Sequence, residues 1–510
     1  MSQSYRSTRS SAKETQSFEK TIIQGLASDG GLFIPSEIPR VSPETLKQWS
    51  QLSFQDLAFE IMKLYISSEE IPETDLKGLI QRSYSTFRTN DVTPLAKNVT
   101  GSGEHLHVLE LFHGPTYAFK DVALQFVGNL FEFFLQRANK DLPQDQRKKI
   151  TVVGATSGDT GSAAIYGMRG KKDVSVFILY PTGRISPIQE EQMTTVPDKN
   201  VQTLSVKGTF DNCQDIVKAI FGDVEFNKKH NIGAVNSINW ARILAQITYY
   251  FYAYFQATKD VQSKVKFVVP SGNFGDILAG YYAKKMGLPV ERLVIATNSN
   301  DILDRFMKTG VYERSDDVAA TLSPAMDILV SSNFERLLWY LARDVLASND
   351  DQKAGEILNQ WFVQLKTEGK FEVDPAVIKH ALIDFDSERV SDSETKDTIK
   401  TTYETSQNPK NYILDPHTAV GVCATKRQMV KDNDKSIQYI SLSTAHPAKF
   451  AEAVNDALCS FEGYSFERDV LPDELQKLST LEKKLKFVEK ADIELVKATI
   501  EEELAKMGLL

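Results

Sequence analysis

Residues 268–276 read VVPSGNFGD. An apolar, β-branched run enters a turn with two glycines and an asparagine, and helical apolar spacing then continues to Met286. This is the strand–loop–helix unit of an α/β protein, and the chain repeats it. Apolar, β-branched runs stand at 107–112, 150–154, 174–179, 201–206, 267–269, 293–297 and 437–442. Helical spacing occupies 119–136, 160–168, 214–221, 241–258 and 276–286 between most of them. Such alternation predicts an α/β fold with largely parallel sheets. Ligands of open α/β sheets bind at the carboxyl ends of the strands, so the chemistry is sought in the loops there.

Around that core the pattern changes. Residues 1–100 read as a mostly helical domain and 101–299 as the first part of the α/β core. Residues 300–406, with stretches such as FERLLWYLARDVLAS, read as a helical insertion. Residues 407–460 close the core, and 461–510 form a helical tail of mixed Glu, Lys, Leu and Val. The 510 residues, 42% hydrophobic and 25% charged, suit a globular chain of several domains. A net charge of −9 without a dense Lys/Arg block argues against nucleic acid as a partner. No apolar run approaches ~18 residues, which argues against a membrane span. The three cysteines show no CxxC spacing, and sparse cysteine fits a reducing compartment. The N-terminus has no secretory core, and a cytoplasmic location is expected. Of the seven histidines only His105 and His107 would share a strand face, and no metal is expected there.

Four loops carry candidate chemistry. In 268–276 the glycines let successive backbone N–H groups line one concavity at a helix N-terminus, which makes a phosphate cradle. It lacks the GxxxxGK[ST] of a P-loop and the GxGxxG of a dinucleotide site, and so suits a phosphorylated cofactor better than a nucleoside triphosphate. The ordinary alternative is a plain β–turn–α connection. In 152–164, VVGATSGDTGSAA, the residues Ser157, Asp159 and Thr160 offer short polar groups beside free N–H groups, able to hold a substrate carboxylate or simply to cap the helix. In 440–450, ISLSTAHPAKF, Ser443, Thr444 and His446 face one rim, and His446 reads first as a satisfied polar contact. In 113–121, HGPTYAFKD, Gly114 and Pro115 break the chain before an apolar helical stripe, so Lys120 falls in the first turn of that helix. A cation is disfavoured there, which suits a lysine whose charged state is depressed or which is held in a Schiff base. For a lone lysine the ordinary reading is a solvated ammonium beside Asp121.

Taken together these segments resemble the threonine synthase family, pyridoxal-phosphate enzymes of fold type II, the tryptophan-synthase-β-like fold. YRSTR stands at 5–9, DGGLF at 29–33, HGPTYAFKD at 113–121, ATSGDTG at 155–161 and NSINWAR at 236–242. SGNFGD follows at 271–276, ATNSND at 296–301, SSNFERLL at 331–338 and DPHTAVG at 415–421, in the family's order and over nearly the whole chain. The resemblance implies two parallel-sheet α/β lobes with a helical N-terminal region and a helical insertion. It implies that Lys120 holds pyridoxal 5'-phosphate covalently, that Gly272, Asn273, Phe274, Gly275 and Asp276 surround its phosphate, and that Thr444 offers a neutral hydroxyl to the pyridine nitrogen. The implied reaction turns O-phospho-L-homoserine and water into L-threonine and phosphate, with Lys120 moving protons. Arg242, supported by Ser157 and Asn239, is the candidate for the substrate phosphate, with an ion pair as its alternative role. Asp159 would touch the ring hydroxyl or the substrate. No metal is required, and a monomer is expected, with a homodimer as the alternative. The rivals are a hydroxyamino-acid dehydratase of the same fold and a binding protein that has kept the fold without the chemistry. The intact lysine segment and glycine loop favour the synthase.

Overall fold

Two parallel sheets carry the molecule, and each owes its direction to helical crossovers between successive strands. The computed structural model describes residues 3–99, 105–156 and 158–509. The larger sheet has the order Phe385–Arg389, Val290–Thr297, Val265–Pro270, Gln438–Ser443, Leu106–Glu110, Leu95–Lys97. Only the last pair is antiparallel. The smaller sheet is parallel throughout, in the order Lys486–Val488, Val201–Val206, Val174–Pro181, Ile150–Ala155, Ile232–Gly233. All eight residues of Val174–Pro181 are buried. A strand covered on both faces has no polar side to show, which is why it reads as a continuous apolar run instead of an alternating one.

Helices cover both sheets, and two of them set the position of the lysine segment. Helices Lys120–Ala138 and Asp159–Met168 cross backbone to backbone. A Cβ on Gly128 would lie 1.9 Å from the Gly167 carbonyl oxygen, and one on Gly167 would lie 2.4 Å from that of Leu124. Only hydrogen fits at either position. The N-terminal part contributes helices Phe18–Gln24, Pro43–Trp49, Phe54–Met62 and Glu73–Tyr84, plus the antiparallel pair Tyr5–Ser7 and Phe33–Pro35. A boundary at 100/101 lies outside the described residues.

Two expectations need correction. The segment 300–406 is not purely helical. It contains the antiparallel pair Val311–Glu313 and Lys370–Glu372, and it returns Phe385–Arg389 to the edge of the larger sheet beside Val290–Thr297. That strand reads FDSER, and its charges are answered only by distant residues: Asp386 pairs with Arg292 at 3.2 Å, Lys431 at 3.2 Å and the buried Lys266 at 3.5 Å. The tail is likewise more than helices, because Lys486–Val488 extends the smaller sheet beside Val201–Val206. Several family segments meet at one buried cation. Arg336, wholly buried, donates to the carbonyls of Phe33 (2.8 Å) and Ile238 (2.6 Å) and to Asn333 Oδ1, while Glu335 beside it pairs with Arg9 at 2.7 Å. These contacts tie the 5–9, 29–33, 236–242 and 331–338 segments into one scaffold. His105 and His107 both bond to Gln438, at 3.0 and 2.8 Å, an ordinary cross-strand polar contact.

Candidate active site

Lys120 is the first residue of its helix. The loop before it is folded back by Asp121, whose carboxylate accepts the Thr116 amide at 2.7 Å and the Thr116 hydroxyl at 2.8 Å. A Cβ on Gly114 would lie 2.4 Å from the Asp121 Cβ, so the turn closes only with glycine there. Asp121 is thus committed to the loop and forms no ion pair with Lys120, although its charge favours the ammonium. The Lys120 ammonium makes no hydrogen bond or ion pair among the described residues. Burial pushes it down to about 8, opposed by Asp159 and reinforced by Arg242 and Lys449. Helix position and burial both act against the charged form.

The loop after Val265–Pro270 is held from behind. Ser331 Oγ donates to the Gly272 carbonyl at 2.6 Å, and the Asn333 amide donates to the Asn273 carbonyl at 3.0 Å. In a trans peptide the next N–H points the opposite way. The amides of Asn273 and Phe274 therefore face away from that clamp, and neither finds an acceptor among the described residues. Phe274 sits at left-handed φ +62° just before helix Gly275–Met286, its ring buried in the core. A Cβ on Gly272 would lie 3.0 Å from the Met326 Cα, so the loop lies flush on the 324–326 turn. The Asp276 side chain corrects an expectation. Its carboxylate turns inward, with Oδ1 accepting from Tyr249 (2.5 Å) and Tyr250 (2.8 Å), and burial pushes it up to about 6. What Asp276 leaves at the cradle is its backbone N–H, and a repelling carboxylate is kept away from an anion.

Segments far apart in sequence are stitched to the lysine loop. The Phe119 amide donates to the Thr444 carbonyl at 2.8 Å and the His446 amide to the Tyr117 carbonyl at 3.0 Å. Thr444 is nearly buried, and its hydroxyl has no partner among the described residues. His446 Nδ1 accepts the Ala448 amide at 3.2 Å, capping the Pro447–Phe450 turn, and burial pushes the ring down to about 3. His446 is a neutral cap, as its ordinary reading holds. In 152–164 the Thr156 hydroxyl accepts the amides of Gly158 (3.0 Å) and Gly161 (2.9 Å) and so builds the turn. Asp159 accepts from Gln189 at 2.9 Å and Lys449 at 2.8 Å, and Thr160 keeps its hydroxyl free among the described residues. Ser157 lies outside the described residues.

Arg242 and Asn239 part company. Arg242 is buried, donates to the Val235 carbonyl at 3.1 Å, leaves Nε without an acceptor and meets no carboxylate among the described residues. The ion pair that stood as its alternative role is not formed there. Burial alone pushes its guanidinium down to about 10. Asn239 is fully buried and fully used: Oδ1 caps helix Trp240–Ala257 through the Ala241 amide, and Nδ2 donates to the Ile22 carbonyl at 2.9 Å. Support of a substrate by Asn239 is therefore withdrawn. Residues 236–242 read as one motif because the cap fixes the helix that carries Arg242 three residues on. Lys449, Gln189, Ser331 and Asn333 escaped the sequence reading. Ser331 and Asn333 lie in the family segment 331–338 and Lys449 in the 440–450 loop, so position is their one signal; Gln189 has none.

An unpaired amine of depressed basicity, an N–H cradle lined by glycine and a free neutral hydroxyl are what a phosphorylated aldehyde cofactor needs. The unsatisfied cradle amides and the flush Gly272 fit pyridoxal phosphate. The class is that of pyridoxal-phosphate enzymes, and residues 88–356 match the family model described as pyridoxal-phosphate dependent enzyme. Residues 4–84 match the threonine synthase N terminus and 418–500 the threonine synthase C-terminal model. The chain is 77% identical to the threonine synthase of Saccharomyces cerevisiae, covering 100% of this chain and 99% of that protein. The crystal structure of threonine synthase from yeast superposes with a TM-score of 0.97, at 77% identity and 99% coverage of both chains. That of pyridoxal-phosphate-bound threonine synthase from Brucella melitensis gives 0.87, at 38% identity, covering 98% of this chain and 99% of that one. The chain belongs to the threonine synthase family. Among the described residues no helix is long and apolar enough to cross a membrane.

Proposed function

We propose that this chain is a threonine synthase, converting O-phospho-L-homoserine and water to L-threonine and phosphate, with Lys120 as its catalytic residue. The observation that carries the assignment of Lys120 is its unpaired amine, held down to about 8 at the head of a helix. Lys120 would hold pyridoxal phosphate, the amides of residues 272–276 its phosphate, and Thr444 its ring nitrogen. When bound, the cofactor supplies the electron sink that makes the substrate's Cα and Cβ protons removable. Thr444 is a neutral donor or acceptor. It would not hold the ring nitrogen protonated as a carboxylate would, so more of the carbanion stabilisation would have to come from elsewhere.

As a free amine, Lys120 would take the Cα proton and then serve at Cβ. A base near neutral does this best because it is free at working pH and its conjugate acid can still give the proton back. The Cγ–O bond breaks and phosphate leaves. A proton returns at Cγ, water adds its oxygen at Cβ, and a proton returns at Cα, so the atoms balance. Arg242 is the group for the substrate phosphate. Its guanidinium is buried and meets no carboxylate among the described residues, and a phosphate would satisfy its free donors. Asp159 and Thr160 line the neighbouring loop. Borohydride reduction of the yellow protein followed by peptide mapping tests the reading. The pyridoxyl group is expected on Lys120, and Lys120→Ala is expected to retain no covalent cofactor and to release no phosphate from O-phospho-L-homoserine. An adduct on any other lysine overturns it.

A further inference from the structure

We propose that Lys449 is a positioning residue for the Lys120 chemistry, its ammonium locking Asp159 through Oδ1 and cancelling that carboxylate's charge beside the reacting amine. The inference deepens the reading above and rests on Lys120 being that amine. Lys449 lies in the Pro447–Phe450 turn with a side chain that is wholly buried. Its Nζ donates to Asp159 Oδ1 at 2.8 Å and to the Thr116 carbonyl at 2.8 Å. Gln189 Nε2 donates to the same Oδ1 at 2.9 Å. Asp159 Oδ2 makes no hydrogen bond among the described residues. One oxygen is pinned by two donors, and the other is left for whatever occupies the site.

A buried ion pair is a weak stabiliser, because desolvating both charges offsets most of their attraction. Its placement says more than its energy. Lys449 joins the lysine loop at Thr116, the 155–161 loop at Asp159 and its own strand end, so one ammonium sets the spacing of three loops. Four charged groups face Lys120: Asp121 on its own helix, Asp159 on the Asp159–Met168 helix, Arg242 on the Trp240–Ala257 helix, and Lys449. Two acids and two cations balance. Asp159 itself faces Lys120 and Lys449, and Asp121 faces Arg88 and Lys449. Without Lys449 the uncompensated Asp159 carboxylate would draw the Lys120 ammonium into an ion pair, holding protonated the amine that must be free. Lys449 keeps Asp159 from doing so.

The test reads Lys120 directly. The full-length chain, freed of cofactor, is acetylated with acetic anhydride across a pH series, and the labelled fraction at Lys120 is read by mass spectrometry. In Lys449→Met the midpoint is expected to rise by roughly one pH unit or more above the native value. Lys449→Arg keeps the charge and is expected to stay near the native midpoint. Asp159→Asn is expected to move it down. Should Lys449→Met not fold, the double variant with Asp159→Asn, which buries no lone charge, is compared with the native chain; mutual cancellation predicts a midpoint close to native. A midpoint in Lys449→Met that matches the native one, or a double variant displaced from native as far as Asp159→Asn alone, overturns the proposal. A shift in Lys449→Arg as large as in Lys449→Met reduces the contact to packing and overturns it too. Labelling reads the amine whether or not it takes a cofactor, so a failure of the borohydride mapping leaves this measurement standing.

Discussion

At the scale of the residue, burial sets the protonation of the site, and Asp276 is its clearest instance. A free aspartate titrates near 3.8, while in the fold the proton is held up to about 6, because desolvation outweighs the hydrogen bonds from Tyr249 and Tyr250. Between those values the folded chain binds more proton than the unfolded one. This group therefore takes stability away as pH rises from about 4 to about 6, and the whole deficit is present above that. Asp276→Asn keeps an oxygen for the two tyrosine hydroxyls and carries no charge. It is expected to stabilise the chain by about 3 kcal/mol at pH 8 and by only about 1 kcal/mol at pH 4.5, as denaturant titrations at both values would record. A gain of equal size at both would mean that the carboxyl's ionisation contributes nothing. Lys120 was legible in the sequence, since the Gly114-Pro115 break and the apolar stripe after it place the residue at a helix start. Lys449 was not. Its partner Asp159 is hundreds of residues away, and no local pattern distinguishes a buried, paired lysine from a solvated one. Asn239 misled for a related reason: a motif residue beside a functional arginine proved to be the cap that positions it.

At the scale of the element, legibility follows burial. Val174–Pro181 is covered on both faces and declares itself as a strand in composition alone. Phe385–Arg389 lies at a sheet edge, keeps only Phe385 and Asp386 buried, and answers Asp386 with Arg292, Lys431 and Lys266, Glu388 with Arg427 and Arg389 with Asp301, so nothing in FDSER marks it as a strand. Lys486–Val488 is three residues long and exists because Val201–Val206 offers an open edge. Tertiary partners, not propensity, make these two elements. The same dependence on a partner governs the crossing of the lysine helix with Asp159–Met168. A Cβ at position 128 would enter the Gly167 carbonyl. Both atoms there belong to backbone, so neither can rotate away, and the helices must separate. Gly128→Ala is expected to cost about 3 kcal/mol in denaturant unfolding, at the upper end of overpacking penalties and with the sign opposite to the helix-propensity gain of alanine over glycine. It should also weaken cofactor retention, since Lys120 and the 155–161 loop stand at the ends of the two helices. A neutral or stabilising result would show that the crossing has slack.

At the scale of the whole molecule, one side chain joins the N-terminal region and the tail to the lysine loop. Arg88 follows helix Glu73–Tyr84. Its guanidinium donates to the carbonyls of Gly114 and, at 3.3 Å, Pro115, and it lies 3.7 Å from the centre of the Tyr117 ring. Its amide donates to the His113 carbonyl at 2.9 Å, and Glu474 of the tail pairs with it from outside. Tyr117 holds a left-handed φ of +61°, a conformation that persists only where its surroundings impose it. The two sides of Arg88 differ in weight. Glu474 has a side chain 63% exposed, and a surface ion pair of that kind contributes less than about 1 kcal/mol. The carbonyls of Gly114 and Pro115 sit in a tight turn, and the planar fork is shaped to reach both at once. Glu474→Gln is therefore expected to leave the melting temperature and kcat/KM for O-phospho-L-homoserine close to native. Arg88→Ala is expected to lower kcat/KM between roughly 10- and 100-fold through misplacement of Lys120. Arg88→Lys should fall between the two, because a single ammonium keeps the charge and loses the fork. Steady-state phosphate release measured beside thermal melts separates the cases. If Glu474→Gln proved as damaging as Arg88→Ala, the tail would be what holds the lysine loop, with Arg88 only its handle.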